Sequence, residues 1–167
     1  MVTNSKKEQN NSYLTFKIGE ETYAIHVNFV KSIIQAEKFR RVPEAPPYLK
    51  GLINYYGILL PVVDGKIKMG VLSSDTVTQA GIIQIETFWK GHETNVGLLV
   101  DAVCDVLQIA ENEIEMPPLI GSAYKGSMID GFFRNGDDIL IILNTEHLFS
   151  DEEKELFSNI MNQKFHE

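Results

Sequence analysis

The residues that could do chemistry are few, and their spacing does not suit it. The chain carries four histidines, His26, His92, His147 and His166, and a single cysteine, Cys104. No two histidines stand one helical turn apart and none lies beside the cysteine, so the spacing that builds a zinc site is missing. Gly121-Ser122-Ala123-Tyr124-Lys125-Gly126-Ser127 has the outline of a phosphate loop. No lysine follows its second glycine, however, and it leads toward a strand rather than a helix. The Gly-x-Ser-x-Gly turn of serine hydrolases is absent. Glu111, Glu113 and Glu115 read as a solvated acidic rim. The sequence therefore offers no catalytic residues, no metal ligands and no cofactor site, and the chain is read as a non-enzyme.

What is left is apolar and aromatic material close to turns: Val30, Ile34, Tyr48, Tyr55, Tyr56, Val106 and Leu107. Aromatic anchors beside a glycine turn are a common device of protein–protein recognition. Taken together these residues favour a binding module over an enzyme. A small-molecule-binding barrel is the alternative from another class. It would need an apolar concavity with a few convergent polar groups, and no such set is legible.

Size and composition bound the architecture that must position these residues. At 167 residues, with 44% hydrophobic and 23% charged side chains, the chain can build one domain or two very small ones made as a unit. Its net charge of −8 repels nucleic acid and anionic membrane. Lys38-Phe39-Arg40-Arg41 is the one basic cluster, too small for a nucleic-acid footprint. The polar start, the lone cysteine and the lack of a long apolar run predict a cytoplasmic protein with no membrane insertion. Cys104 itself, among apolar neighbours, reads as a small core or half-buried residue.

The chain is organised around residues 42–64. Pro43, Pro46 and Pro47 exclude a sheet interior there. Asn54-Tyr55-Tyr56-Gly57 is a turn, and Ile58-Leu59-Leu60-Pro61-Val62-Val63 is a strand whose two faces both need cover, with Pro61 at an edge or a bulge. Residues 1–12 are expected to be a mobile tail. Leu14, Phe16 and Ile18 alternate as a half-buried strand, and residues 23–27 return as its hairpin partner. The i, i+3, i+4 spacing of Val30, Ile33 and Ile34 fits a helical turn or a bulged strand, with these residues in the core. Residues 65–70 alternate and decay into a polar loop at 73–76. Residues 81–89 and 95–101 form a hairpin with a loop of about five residues. Pro117-Pro118 stops regular structure, and residues 121–126 form a loop. A further strand is expected at 127–134, a turn at Asn135-Gly136-Asp137-Asp138, and a closing strand at 139–143. Ser150-Asp151-Glu152-Glu153 is a capping box, and Leu156, Phe157, Ile160 and Met161 form the apolar stripe of a C-terminal helix.

The resulting fold class is all-β. Strands 58–63, 97–100 and 139–143 are apolar without alternation, so they should lie where two small barrels meet. The expected organisation is a tail over 1–12, two small β-barrel subdomains over 13–149 and an amphipathic helix over 150–167.

Several motifs in this order resemble the CheW-like chemotaxis coupling proteins. They are Gly51-Leu52-Ile53-Asn54 followed by Gly57, Pro61-Val62 and Asp64; Val96-Gly97-Leu98-Leu99-Val100-Asp101 followed by Val103 and Val106-Leu107; and Gly131 followed by 138–144. Leu14, Phe16, Gly19 and Tyr23, and Pro43, Pro46 and Tyr48, fit as well. The resemblance implies two packed five-stranded SH3-like barrels and an adaptor without catalysis. Its implied partners are the cytoplasmic domain of a chemoreceptor (a methyl-accepting chemotaxis protein) and the regulatory domain of the histidine kinase CheA. By motif it carries the binding role to Val30, Ile33, Ile34, Gly51, Tyr56, Gly57, Val103 and Val106, at or near a groove between barrels. The chain departs from the family pattern where Tyr56 replaces an arginine and where Asp64-Gly65-Lys66 replaces Asp-Leu-Arg. Losing that arginine removes a forked donor for carboxylates. A divergent module of another sensory or motility pathway, binding kinase without an ordinary receptor, is the alternative within the family.

Overall fold

A computed structural model describes residues 11–35, 39–71, 80–116 and 128–162. The sequence-based readings of residues 1–10, 73–76, 117–118 and 121–126, and His166, fall outside these residues. Ten strands make two antiparallel-dominated sheets of five. The strands are β1 (Ser12–Ile18), β2 (Glu21–His26), β3 (Val30–Gln35), β4 (Leu49–Tyr55), β5 (Ile58–Asp64), β6 (Gly81–Trp89), β7 (His92–Val100), β8 (Ala102–Gln108), β9 (Ile129–Asn135) and β10 (Asp138–Leu143). One sheet has the order β8-β1-β2-β10-β9 and the other β3-β6-β7-β5-β4. Short helices α1 (Gly65–Lys68) and α2 (Thr145–Leu148) follow β5 and β10, and α3 (Asp151–Asn162) closes the described chain.

Side-chain alternation divides the core into three parts. Ile34, Ile53, Leu60, Val62 and Ile82 fill the second sheet's own interior, with Phe39, Tyr55 and Leu99 beside them. Ala24, Ile109, Leu140 and Ile142 do the same for the first sheet. The largest cluster lies between the two: Leu14, Phe16, Ile18, Tyr23 and Ile25 from one side meet Val63, Ile83, Ile85, Val96, Leu98 and Val100 from the other. The result is two small barrels sharing a junction, as expected, with the apolar strands divided between interior and junction. In β5, Leu60 and Val62 turn inward while Val63 turns to the junction; in β10, Leu140 and Ile142 turn inward while Leu143 turns to the junction. Cover fails at the strand starts, where Ile58 and Ile139 are exposed. Pro61 pairs with Leu52 of β4, and the parallel pairing with β7 begins only at Val62. The proline therefore sits where its missing N–H interrupts no ladder.

The capping box forms as read: Glu153 N–H donates to Ser150 Oγ and Ser150 N–H donates to Glu153 Oε1. Helix α3 lies against β5, β6 and β7. Its Phe157 is fully buried in the junction, edge-on to Phe149 at 5.3 Å between ring centres. Glu153 also accepts from Lys68 Nζ at 2.7 Å, which ties α3 to α1.

Four readings are corrected. Ser12 belongs to β1 rather than to the tail; it is buried and its Oγ accepts from Gln108 Nε2. Residues 65–68 are a helical turn, not an alternating strand, because Asp64 caps it through Oδ1 to Lys66 N–H. The β6–β7 loop is two residues, Lys90-Gly91, both at positive φ, so pairing runs on to Trp89 and His92. Cys104 is exposed; the bulge in β8 described below explains why.

Candidate interaction site

Two edge strands border the junction, and each carries one extra residue. In β3 the register with β6 shifts between Val30 and Ser32, so that Val30 stands opposite Ile85 and Ile33 opposite Ile83. Residues three apart in a regular strand face opposite ways. The bulge puts Val30 and Ile33 on one face, the face of the junction residues Ile83 and Ile85. This resolves the helical-looking spacing of Val30, Ile33 and Ile34 in favour of a bulged strand. Ile34 points the other way, opposite Ile82, into the interior of its own barrel.

In β8 the same device operates. Leu14 of β1 pairs with Val106 and Phe16 with Val103, so two steps along β1 match three along β8. Val103 and Val106 therefore share the junction face with Leu14 and Phe16. Cys104 and Asp105 are the residues displaced to solvent. Thr15, itself buried, holds the bulge: its Oγ1 accepts from Asp105 N–H and donates to Asp105 O, both at 3.0 Å.

The two edges approach each other at Gly81 in β6. A Cβ built there would lie 3.1 Å from Val103 Cγ2, and Gly81 pairs with Gln35 at the end of β3. The rim of the junction thus carries Val30 and Ile33 from one barrel and Val103 and Val106 from the other. Val30 and Val103 are half-buried against the junction core, while Ile33 and Val106 are 52% and 57% exposed. The rim thus exposes one large apolar side chain from each barrel beside the packed junction.

The remaining candidates lie elsewhere. Gly51 is buried in β4 beneath the Phe39-Arg40 backbone, and a Cβ would come within 2.7 Å of Arg40 O, so its role is close packing. Tyr56-Gly57 is a two-residue hairpin turn with φ of 52° and 82°, and Gly57 N–H donates to Asn54 Oδ1 at 3.0 Å. Tyr56 is 88% exposed, its ring edge-on to Tyr55 at 4.6 Å. The registers put this turn toward the Trp89–His92 end of the sheet, away from the Gly81–Val103 contact. It is a separate exposed feature of the same barrel. Of the eight expected residues, four share one rim and four do not. The alternating apolar strand pattern does not reveal this division, because it depends on two bulges.

One cation beside the rim is paired. Lys31, beside Val30, donates to Glu93 Oε2 at 2.7 Å and lies 3.7 Å from Glu86. The hydrogen bond to Glu93 raises the ammonium above its ordinary pKa, and the same bond holds the Glu93 carboxyl below its own. At the crossover from β7 to β8, Asp101 joins the barrels. Its Oδ2 accepts from Gly19 N–H at 2.7 Å, and its Oδ1 is 3.6 Å from Lys66 Nζ.

No three His, Cys, Asp or Glu side chains among the described residues gather to hold a metal ion. No described helix is long and apolar enough to cross a membrane. The model of the CheW-like domain matches residues 12–153. The chain is 25% identical over 151 residues to the chemotaxis protein CheW of Treponema pallidum, covering 88% of this chain and 86% of that one. It is 27% identical over 157 residues to the CheW of Rhizobium meliloti, covering 92% and 99%. Its fold matches the crystal structure of the scaffolding protein TtCheW from Thermoanaerobacter tengcongensis with a TM-score of 0.71, at 29% identity over 84% of this chain and 88% of that one. With a family model spanning most of its length and the two-barrel fold to match, this chain belongs to the CheW-like family of non-catalytic chemotaxis scaffolds.

Proposed function

We propose that this protein is a cytoplasmic adaptor that couples the cytoplasmic tip of a chemoreceptor to the regulatory domain of the histidine kinase CheA. The observation that carries the receptor half is the shared rim. Val30, Ile33, Val103 and Val106, drawn from two bulged edge strands, present an apolar seam between two rigid barrels. A helical hairpin can lay an apolar stripe into such a seam, with anchors every three or four residues. The junction behind the seam is fully packed, so the surface is preformed and binding costs little ordering.

The test is a titration of the full chain with a receptor cytoplasmic hairpin, monitored by calorimetry. Ile33→Asp and Val106→Asp place a charge on the two half-exposed rim positions. Each is expected to weaken hairpin binding by at least about tenfold while costing about 1 kcal/mol of stability, the penalty for aspartate on a strand. Unchanged affinity in both variants overturns this use of the seam. Tyr56→Arg restores the forked cation at the exposed turn, and it is expected to change receptor affinity with the fold intact. Equal binding by both forms removes the turn from the interface. Addition of the CheA regulatory domain is expected to give a ternary complex; binding to the kinase alone would favour the alternative circuit without an ordinary receptor.

A further inference from the structure

The one basic cluster of this acidic chain is not used by the seam. After β3 the chain crosses to β4, where Arg40 bridges to Leu52 and closes the barrel. The following segment, through Pro43, Pro46 and Pro47, stands off the sheet and walls a cleft of about 390 Å³. Phe39, Val42, Pro46, Leu49 and Ile67 supply its apolar lining, and Ile67 is 48% exposed there. Arg41 and Lys50, also in the lining, are exposed, as is neighbouring Arg40. Among the described residues these three cations make no ion pair, a state they share with Lys17, Lys90 and Lys154, but they alone gather at one cleft. The one carboxylate in the lining, Asp64, is occupied at Oδ1 by Lys66 N–H. The exposed Glu44 lies on the wall segment but outside the lining.

We infer that this cleft is a second docking site, which takes an acidic segment of a partner protein through one apolar anchor side chain flanked by carboxylates. Charge complementarity supports that occupant. Exposed cations gathered on one edge of a chain of net charge −8, with no ion pair among the described residues, form a local positive field in a negative surround. A short acidic segment is attracted to the patch without meeting the rest of the surface. An extended polyanion such as nucleic acid would be repelled beyond it, and would leave the apolar lining unused. The three prolines fix φ at their positions in the wall segment, which lowers the ordering that binding must supply. This site does not rest on the receptor reading, since it shares no residue with the seam.

The test uses the full chain and a fluorescein-labelled peptide with a Leu-Phe pair between two Asp-Glu pairs. Two control peptides replace the acids with lysines or the Leu-Phe pair with serines. Anisotropy is expected to show binding of the acidic peptide alone, weakening as salt is raised. Amide shifts are expected at Val42, Leu49 and Ile67. The double variant Arg41→Glu/Lys50→Glu should reduce peptide affinity by about tenfold or more, with its melting temperature and its receptor-hairpin affinity unchanged. Conversely, Ile33→Asp should leave peptide affinity unchanged, so that failure of this site and failure of the seam are told apart. Absence of binding overturns the inference, as does equal binding of the lysine or serine peptide, equal binding of a single-stranded oligonucleotide, or amide shifts confined to the seam.

Discussion

The two barrels follow one pairing scheme and differ in how the chain reaches it. Each sheet sets an edge strand beside a hairpin, joins that hairpin in parallel to a second hairpin, and ends there: β8, β1-β2, β10-β9 in one and β3, β6-β7, β5-β4 in the other. The second sheet is a continuous stretch from Val30 to Val100. The first is assembled from both ends of the described chain, Ser12 pairing with Gln108 and Thr22 with Leu140. Equal architectures therefore carry unequal loop-closure costs, and the nested barrel is the one able to form from local contacts. The edge strands differ as well. The β8 bulge is clamped by a buried threonine hydroxyl, while β3 carries its exposed Lys31 in an ion pair at the bulge.

The strongest way to break this comparison is to attack what the barrels share. Phe157→Ala empties a fully buried site in the junction core and is expected to cost about 3–5 kcal/mol by denaturant titration. Loss of under 1 kcal/mol would mean that α3 is not part of the common core. Gly51→Ala acts on the nested barrel, where the new methyl meets Arg40 O; about 1–3 kcal/mol is expected, with faster amide exchange in β4 and β5. Thr15→Val acts on the other barrel by removing the clamp of the β8 bulge. It should cost about 1 kcal/mol and raise exchange at Asp105 while β3 is unaffected. Equal changes in both edge strands would show that the bulges are coupled rather than independent. Tyr56→Asn keeps the hairpin turn and relieves a bulky residue at φ 52°, so a gain of up to about 1 kcal/mol is expected in thermal unfolding.

The smallest effect sharpens the β3 edge. The Glu93 carboxyl titrates below its ordinary value because Lys31 donates to it. Its contribution is therefore present above the ordinary carboxylate range and lost as pH falls through the lowered value. Lys31, raised by the same bond, contributes below the ordinary lysine range and loses that contribution as pH rises through its raised value. Both groups are well exposed, so Glu93→Gln should shift stability near neutral pH only slightly and flatten this part of the acid limb. A large loss would mean that the pair sets the bulge.

Much of the fold was legible because its causes are local. Leu14, Phe16 and Ile18 alternate as they must on a half-buried strand; Asn135-Gly136-Asp137-Asp138 turns where its residue types tolerate a turn; and Ser150 with Glu153 caps α3 as read. The errors fell where a neighbour decided. Gly65-Lys66-Ile67-Lys68 alternates in sequence, yet the Asp64 cap winds it into a helix. Cys104 sits among apolar residues, yet the pairing of β8 with Thr15 expels it. Of the residues expected to bind, Val30, Ile33, Val103 and Val106 lie together on one rim, and the others do not join them. Gly51 and Ile34 serve packing, and Tyr56 stands on a different part of the barrel.

The sequence by itself determined most of the strands, the turns at Gly57 and Gly136 and the capped C-terminal helix, since each rests on residue type and spacing within a few positions. Only the tertiary structure decided which side chains share the seam. Whether residues three apart face together depends on one extra residue in β3 and another in β8, and a bulge is defined by the register with a partner strand. Those partners, β6 for β3 and β1 for β8, are brought into register by the packing of the whole junction.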